Sequence, residues 1–295
     1  MLIRYFSDRT INRVLFIPAI FSAGLLSVMV LTFFQKSKLI LSTRSLTDLL
    51  LSSSWQPVAG NFGFLPFIMG SIWVTILAMT LTIPVSLMCA IYLSEYARAS
   101  VRDIIQPVID LLAGIPSVIF GLFGIVLIVP LIKNHIAPMF GVTSSGYCVL
   151  AGGLVLAIMV FPILISITFE VFRTVPLEMR EAALGLGATQ WETVKHVVLK
   201  KGFPGVIAAI ILGFSRAFGE TMAVLMVVGN VARVPSSIFD PAYPIPALIA
   251  NNYGEMMSIP LYDSALMFAA LLLLVVVVIF NILSKYVIIN LRVAV

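Results

Sequence analysis

The sequence predicts an all-α, polytopic membrane protein with six transmembrane helices. Composition, the length of its apolar runs and the distribution of its basic residues predict it. Of the 295 residues, 61% are hydrophobic and only 11% charged, whereas a soluble domain carries about 25% charged residues. So little polar surface cannot cover a water-facing globule, and a bilayer is the natural solvent for such a chain. No polar stretch is long enough to bury a core of its own. Residues 1–295 are therefore expected to form a single transmembrane domain, with its core over 67–289.

A helix needs about 20 apolar residues to cross the hydrocarbon layer. The stretches that qualify are Val14 to Phe34, Phe67 to Leu93, Val108 to Leu131, Cys148 to Phe169, Val206 to Val228 and Ala265 to Ser284. Helices follow because each backbone group must find its partner within its own segment; barrel strands would show short alternating segments instead. The first run follows Arg4, Arg9 and Arg13, is long for a signal-peptide core and lacks a small-residue cleavage site behind it. It reads as an uncleaved helix.

Basic residues set the direction. With the N-terminus inside, the inner segments hold Arg4, Arg9, Arg13, Arg98, Arg102, Arg173, Arg180, Lys195, Lys200, Lys201, Lys285 and Arg292. The outer loops hold only Lys36, Lys38, Arg44, Lys133 and Arg233, and Arg216 falls within a span. The positive-inside rule then places both termini in the cytoplasm of a multi-pass protein of the plasma (inner) membrane. That bias accounts for the net charge of +5, so lipid is expected around the chain and no nucleic-acid partner is inferred.

Cys89 and Cys148 lie in or beside apolar runs and read as small buried hydrophobes. His135 and His196 fall on predicted loops, far apart, and no His/Cys cluster has metal-ligand spacing. Pro84, Pro116 and Pro162 sit inside predicted helices, and glycines such as Gly121, Gly124, Gly152, Gly153, Gly213 and Gly219 offer small faces. Close helix packing and broken helices lining a pathway both fit this pattern.

The loop over 171–202 is too polar to cross a membrane, yet it is built for helices. Pro176 opens a first short helix, with Glu178 near its positive end. Gly185 and Gly187 permit a turn. Thr189 and Glu192 have the spacing of a capping box, which starts a second helix. Lys200 and Lys201 suit its C-terminal end, Gly202 ends it, and Pro204 opens the fifth span. A plain connector needs about 2–8 residues, so an ordered loop of this length is expected to touch something.

Arg216 and Glu220 lie near the middle of the predicted fifth span, four residues apart and so on one helix face. A charge at the bilayer centre costs about 2.5–3.5 kcal/mol on insertion scales, so both are expected to face the bundle interior or a wet cavity. They form either a mutual ion pair that orients packing, or an anion site in which Arg216 attracts the substrate and Glu220 holds the guanidinium. Asp110, inside the predicted third span, pairs with Arg216, shapes the path, or lies wet at the inner end. An arginine fork suits phosphate.

Glu181-Ala182-Ala183, followed by Gly187 and then Val197 and Leu199, resembles the EAA motif of ABC-importer permeases, with Val197 in place of its isoleucine and Lys200 in place of its proline. The resemblance implies a MetI-like fold and a cytoplasmic coupling helix that docks on a separate ATPase through Glu181, Ala182, Ala183, Gly187, Thr189 and Glu192. Arg216-Ala217-Phe218-Gly219-Glu220-Thr221-Met222-Ala223-Val224, ending at Gly229-Asn230, resembles the fifth-span signature of phosphate importer permeases. Leu112-Ala113-Gly114-Ile115-Pro116-Ser117-Val118 with Gly121, and Trp55-Gln56-Pro57 with Phe62-Gly63, extend the likeness toward the PstC-type subunit.

The resemblance implies a substrate pathway through Arg216, Glu220, Asp110, Ser117 and Thr221. It also implies a PstA-type sister permease, an ATPase dimer carrying ATP and Mg, and an extracytoplasmic phosphate-binding protein. No Lys follows a Gly, so the phosphate-loop signature is missing and the chain is not expected to hydrolyse ATP or to hold a cofactor. Sulfate or molybdate permeases share the loop but are not expected to share the fifth-span signature. An ion-coupled secondary transporter should lack the loop and often shows a repeat. An intramembrane enzyme would need a nucleophile with a base, or a close carboxylate pair.

Overall fold

The computed structural model describes residues 2–254 and 259–293. The side chains of 2–13, 19 and 290–293 lie outside that description, and with them Arg4, Arg9, Arg13 and Arg292 of the charge count. Helix α1 spans Leu2–Thr43 and is followed by short α2, Leu46–Leu51. A two-stranded antiparallel pair, β1 (Trp55–Gln56) and β2 (Asn61–Phe62), leads into α3, Leu65–Tyr96. Then come α4 (Ala99–Ala113), α5 (Ser117–Met139), α6 (Val149–Arg173), α7 (Leu177–Gly185) and α8 (Gln190–Phe218). The chain closes with α9 (Met222–Leu225), α10 (Ile245–Asn252) and α11 (Pro260–Val293). Among the described residues, 6 helices are long and apolar enough to cross a membrane: α1 from Val14, α3, α5, α6, α8 and α11 to Ile289.

The third crossing differs from the expectation. Its helix starts at Ser117, not Val108. Residues 99–113 form the separate helix α4, which Gly114 ends by donating its N–H to Asp110 O and Leu111 O at 3.1 Å. Pro116 then disfavours helical backbone at Ile115. Composition ran the two helices together because α4 turns Ile109 onto the bundle yet leaves Ile104 and Leu111 exposed, so its apolar residues continue unbroken into the span. Asp110 is thus not a charge inside the third span; it is an exposed residue of α4.

At the centre, α3 packs along α6. Small residues let the two approach: a Cβ on Gly153 would lie 2.6 Å from Leu77 Cδ2. Hydroxyls stitch the same seam, with Thr82 Oγ1 donating to Ala157 O at 3.3 Å and Ser86 Oγ to Phe161 O at 3.4 Å. This is how membrane helices associate where no hydrophobic drive separates protein from lipid. α11 binds α8 through Ser284 Oγ to Ala208 O, 3.2 Å, and through Phe280, which stacks on Phe214. It holds α1 by a wedge: Ser264 Oγ donates to Lys36 O (2.7 Å) and accepts from Ile40 N (3.0 Å), entering the α1 ladder between i and i+4. Trp55 packs edge-on to Phe62, Phe64, Phe67 and Tyr262, fixing the β pair to the bundle.

The polar loop forms the helix–turn–helix expected of it, but its second arm does not stop at Gly202. Gln190–Phe218 is one continuous helix, with a widened π turn over Val194–Val198. Gly202 serves close packing instead, since a Cβ there would come 3.1 Å from Phe172 Cδ1. His196 lies in that π turn and His135 in another inside α5, so both stand on helices rather than loops.

Candidate functional site

The fifth crossing is broken. α8 ends at Phe218, and a turn over Gly219, Glu220 and Thr221 precedes the four-residue α9. Gly213 faces Met79 and Leu164, which lie near the midpoints of α3 and α6, so α8 stops about halfway through the bundle. The rest of the crossing is irregular, and such backbone persists at that depth only where protein or an aqueous cavity satisfies it. Asn230 Nδ2 donates to Leu225 O at 2.8 Å, closing the end of α9. Gly229 and Asn230 take consecutive left-handed conformations, φ 94° and 52°. Carbonyls of Ile238 and Asp240 accept from Leu150 N and Val149 N, so the irregular segment after α9 caps the start of α6.

Arg216 lies in the last turn of α8, where a cation suits the partial negative charge of the helix end. It is exposed and makes no ion pair or hydrogen bond among the described residues. The expected Arg216–Glu220 pairing on one helix face is not formed, because the helix ends between them. Glu220 Oε1 instead accepts from Ala223 N at 3.3 Å and caps α9. Thr221 Oγ1 reaches Gly219 O at 3.4 Å within the same turn.

Ser117 starts α5, whose next turn packs on α9: a Cβ on Gly121 would meet Met226 Sδ at 2.6 Å and Ala223 Cα at 3.3 Å. Two helix breaks, Gly114–Pro116 and Gly219–Thr221, thus belong to elements in direct contact. Asp110 lies one turn before the first break, its carbonyl accepting from Gly114 N, and its Oδ1 accepts from Ser166 Oγ of α6 at 3.5 Å.

Residues of the polar loop lie as the turn chemistry requires. Glu181 and Ala182 of α7 are exposed and Ala183 half-buried; no residue of α7 is buried. Leu186 N donates to Ala182 O and Gly187 N to Leu184 O, and Gly187 takes φ 87°. Thr189 Oγ1 accepts from Glu192 N while Glu192 Oε2 accepts from Thr189 N at 2.8 Å, the reciprocal capping box. Leu177, Leu184, Leu186 and Trp191 are exposed beside it, Leu186 at 90%.

Sequence reasoning missed the polar groups that hold these pieces. Arg180 pairs with Glu95, 85 residues away, at 3.0 Å; no local pattern signals such a contact. Asp240 Oδ2 accepts from Ser236 Oγ (2.7 Å), Ser236 N (2.9 Å) and Ser237 N (3.0 Å). The Ser236 hydroxyl, more than any other neighbour, holds that carboxyl below its ordinary pKa. The Gly-Asn dipeptide at 229–230 was the one visible clue, since both residues tolerate left-handed backbone.

Among the described residues, six helices long and apolar enough to cross a membrane, a break after Phe218 and an exposed helix–turn–helix are the frame of a membrane permease. Residues 82–293 match the family described as binding-protein-dependent transport system inner membrane component, and the chain belongs to that family. It is 40% identical to the phosphate transport system permease protein PstC of Xylella fastidiosa strain Temecula1, over 73% of this chain and 70% of the relative. It is 33% identical to the PstC of Mesorhizobium japonicum, over 98% of this chain and 95% of the relative. Its fold is that of a solved chain from inward facing conformations of the MetNI methionine ABC transporter, with TM-score 0.56 at 14% identity, covering 79% of this chain and 99% of that one.

Proposed function

We propose that this chain is the phosphate-conducting permease subunit of an ATP-driven importer. The observation that carries the reading is Arg216, an exposed guanidinium without a partner among the described residues, at the end of a helix that stops partway through the bundle. A cation there is costly unless water or an anion meets it, and its planar fork matches phosphate. Ser117 and Thr221, at the two neighbouring helix breaks, supply hydroxyl donors along the same path; Glu220 tempers the field so that the anion leaves. Asp110, which accepts from Ser166 Oγ and makes no ion pair with Arg216 among the described residues, shapes the path rather than holding the guanidinium. The phosphate permeases among its relatives support the choice of substrate.

The excess of basic residues on the segments around α7 supports a cytoplasmic location for that end and for both termini. There the exposed helix α7 with Glu181, Ala182 and Ala183, the Gly187 turn and the Thr189–Glu192 cap offer a docking surface for a separate ATPase pair, which carries the ATP and Mg. A PstA-type sister permease completes the pathway, and an extracytoplasmic binding protein delivers phosphate to the opposite face. ATP drives the cycle by binding one state of the assembly more tightly than the other.

The test is reconstitution with those partners. Arg216→Ala is expected to abolish phosphate uptake while the complex still assembles, and phosphate but not sulfate should stimulate ATP hydrolysis. Normal uptake by Arg216→Ala would remove the substrate role, and stimulation by sulfate alone would reassign the substrate.

A further inference from the structure

Helix α7 is held to the bundle by polar bonds rather than by packing. None of its residues is buried, so apolar burial does little to fix its position. Arg180 does so instead. Its Nε and Nη2 donate to Glu95 Oε2 and Oε1 at 3.1 and 3.0 Å, a parallel two-bond fork. Nη1 donates to Val175 O at 2.7 Å, and Nη2 also reaches Phe172 O at 2.8 Å. One guanidinium therefore joins α7 to the last turn of α3 and to the C-terminal end of α6. Gln190 Nε2, on the first residue of α8, donates to Glu95 O at 2.5 Å, which brings the other arm of the helix–turn–helix onto the same residue.

The pair is shielded, with side chains 17% and 8% exposed. A two-bond fork resists rotation as well as separation, and partial burial spares it the screening that weakens surface pairs. Without it, α7 is free to pivot between Thr174–Pro176 and the Gly187 turn, where the chain leaves helical backbone. We infer that Arg180 and Glu95 are the positioning pair that makes α7 move as one body with the ends of α3 and α6, so that a displacement imposed on α7 reaches the pathway. Lysine would keep the charge but lose the fork and the reach to two carbonyls.

The inference rests on the reading of α7 as the ATPase contact, and the experiment separates the two. Assemble the full complex (this chain, sister permease, ATPase and binding protein) in proteoliposomes. Compare the wild type with Glu95→Gln, Arg180→Gln and Arg180→Lys, measuring ATPase co-purification, ATP hydrolysis and phosphate uptake. Glu95→Gln keeps its backbone acceptor for Gln190 and leaves the carbonyl bonds of Arg180 intact, so it is the mildest change. ATPase co-purification and hydrolysis are expected to persist in each variant. Phosphate moved per ATP should fall about two- to thirtyfold, the span of coupling changes seen along such networks, with Arg180→Lys between wild type and Arg180→Gln. An unchanged phosphate-to-ATP ratio in the assembled Glu95→Gln complex would overturn the inference, as would variants that only lose assembly while surviving complexes keep the wild-type ratio. A wild-type complex that neither retains the ATPase nor moves phosphate would instead indict the proposed function.

Discussion

Two glycines of the polar loop, two residues apart, should respond to the same substitution with opposite signs. Neither meets any atom within 4 Å of an added Cβ, so crowding plays no part. Gly187 has φ 87°, whereas Gly185 is the last helical residue of α7 and lies outside the left-handed region. Placing an L-residue in the left-handed conformation costs about 1–2 kcal/mol, which at tenfold per about 1.4 kcal/mol is a factor of about 5–30. Alanine for glycine in a helix gains about 0.5–1 kcal/mol, a factor of about 2–5. The reporters are the amides that close the turn: Leu186 N to Ala182 O, Gly187 N to Leu184 O and Ala188 N to Ala183 O. In the purified chain without partners, hydrogen exchange at these amides should quicken by up to about 30-fold in Gly187→Ala and slow in Gly185→Ala. Equal protection in the two variants, or the reverse order, would refute the assignment of the turn to backbone conformation.

Two further outcomes test the packing and the irregular segment around Asp240. Gly124→Val should lower the melting temperature of the purified protein, since a Cβ there would sit 2.6 Å from Val155 Cγ2 and 2.7 Å from Val227 Cγ1, and overpacking a filled core costs about 1–3 kcal/mol; unchanged melting would show the contact is slack. Asp240 should make the protein acid-sensitive. Its carboxyl titrates below the ordinary value because of Ser236, so its stabilisation is complete above the ordinary aspartate range and is lost as pH falls through the lowered one. Asp240→Asn should be less stable at neutral pH and should show a smaller further loss in acid, read by thermal melting at several pH values.

The presence of membrane helices, the capping box and the Gly187 turn were legible in the sequence because each depends on neighbours within a few residues. Apolar length reports a span whatever packs on it, and Thr189 finds Glu192 three positions away. Where apolar length misled, it was because exposure was invisible: α4 turns Ile104, Val108 and Leu111 outward, and those residues run on into the span that follows. The end of α8 was hidden for a related reason. The run from Val206 to Val228 is apolar on both sides of Arg216 and Glu220, yet α8 ends at Phe218 and the chain continues through a short helix into an irregular segment whose Ile238 and Asp240 carbonyls accept from the first turn of α6. Arg216 could be singled out as a cost needing a purpose, but whether Glu220 neutralised it depended on where the helix broke. The fork of Arg180 on Glu95 could not be read at all, because an ion pair across 85 residues is set by how α3, α6 and α7 pack. Local rules set the pieces and the turns at Gly114–Pro116 and Gly187; only long-range contacts decided how those pieces pack and which charges find one another.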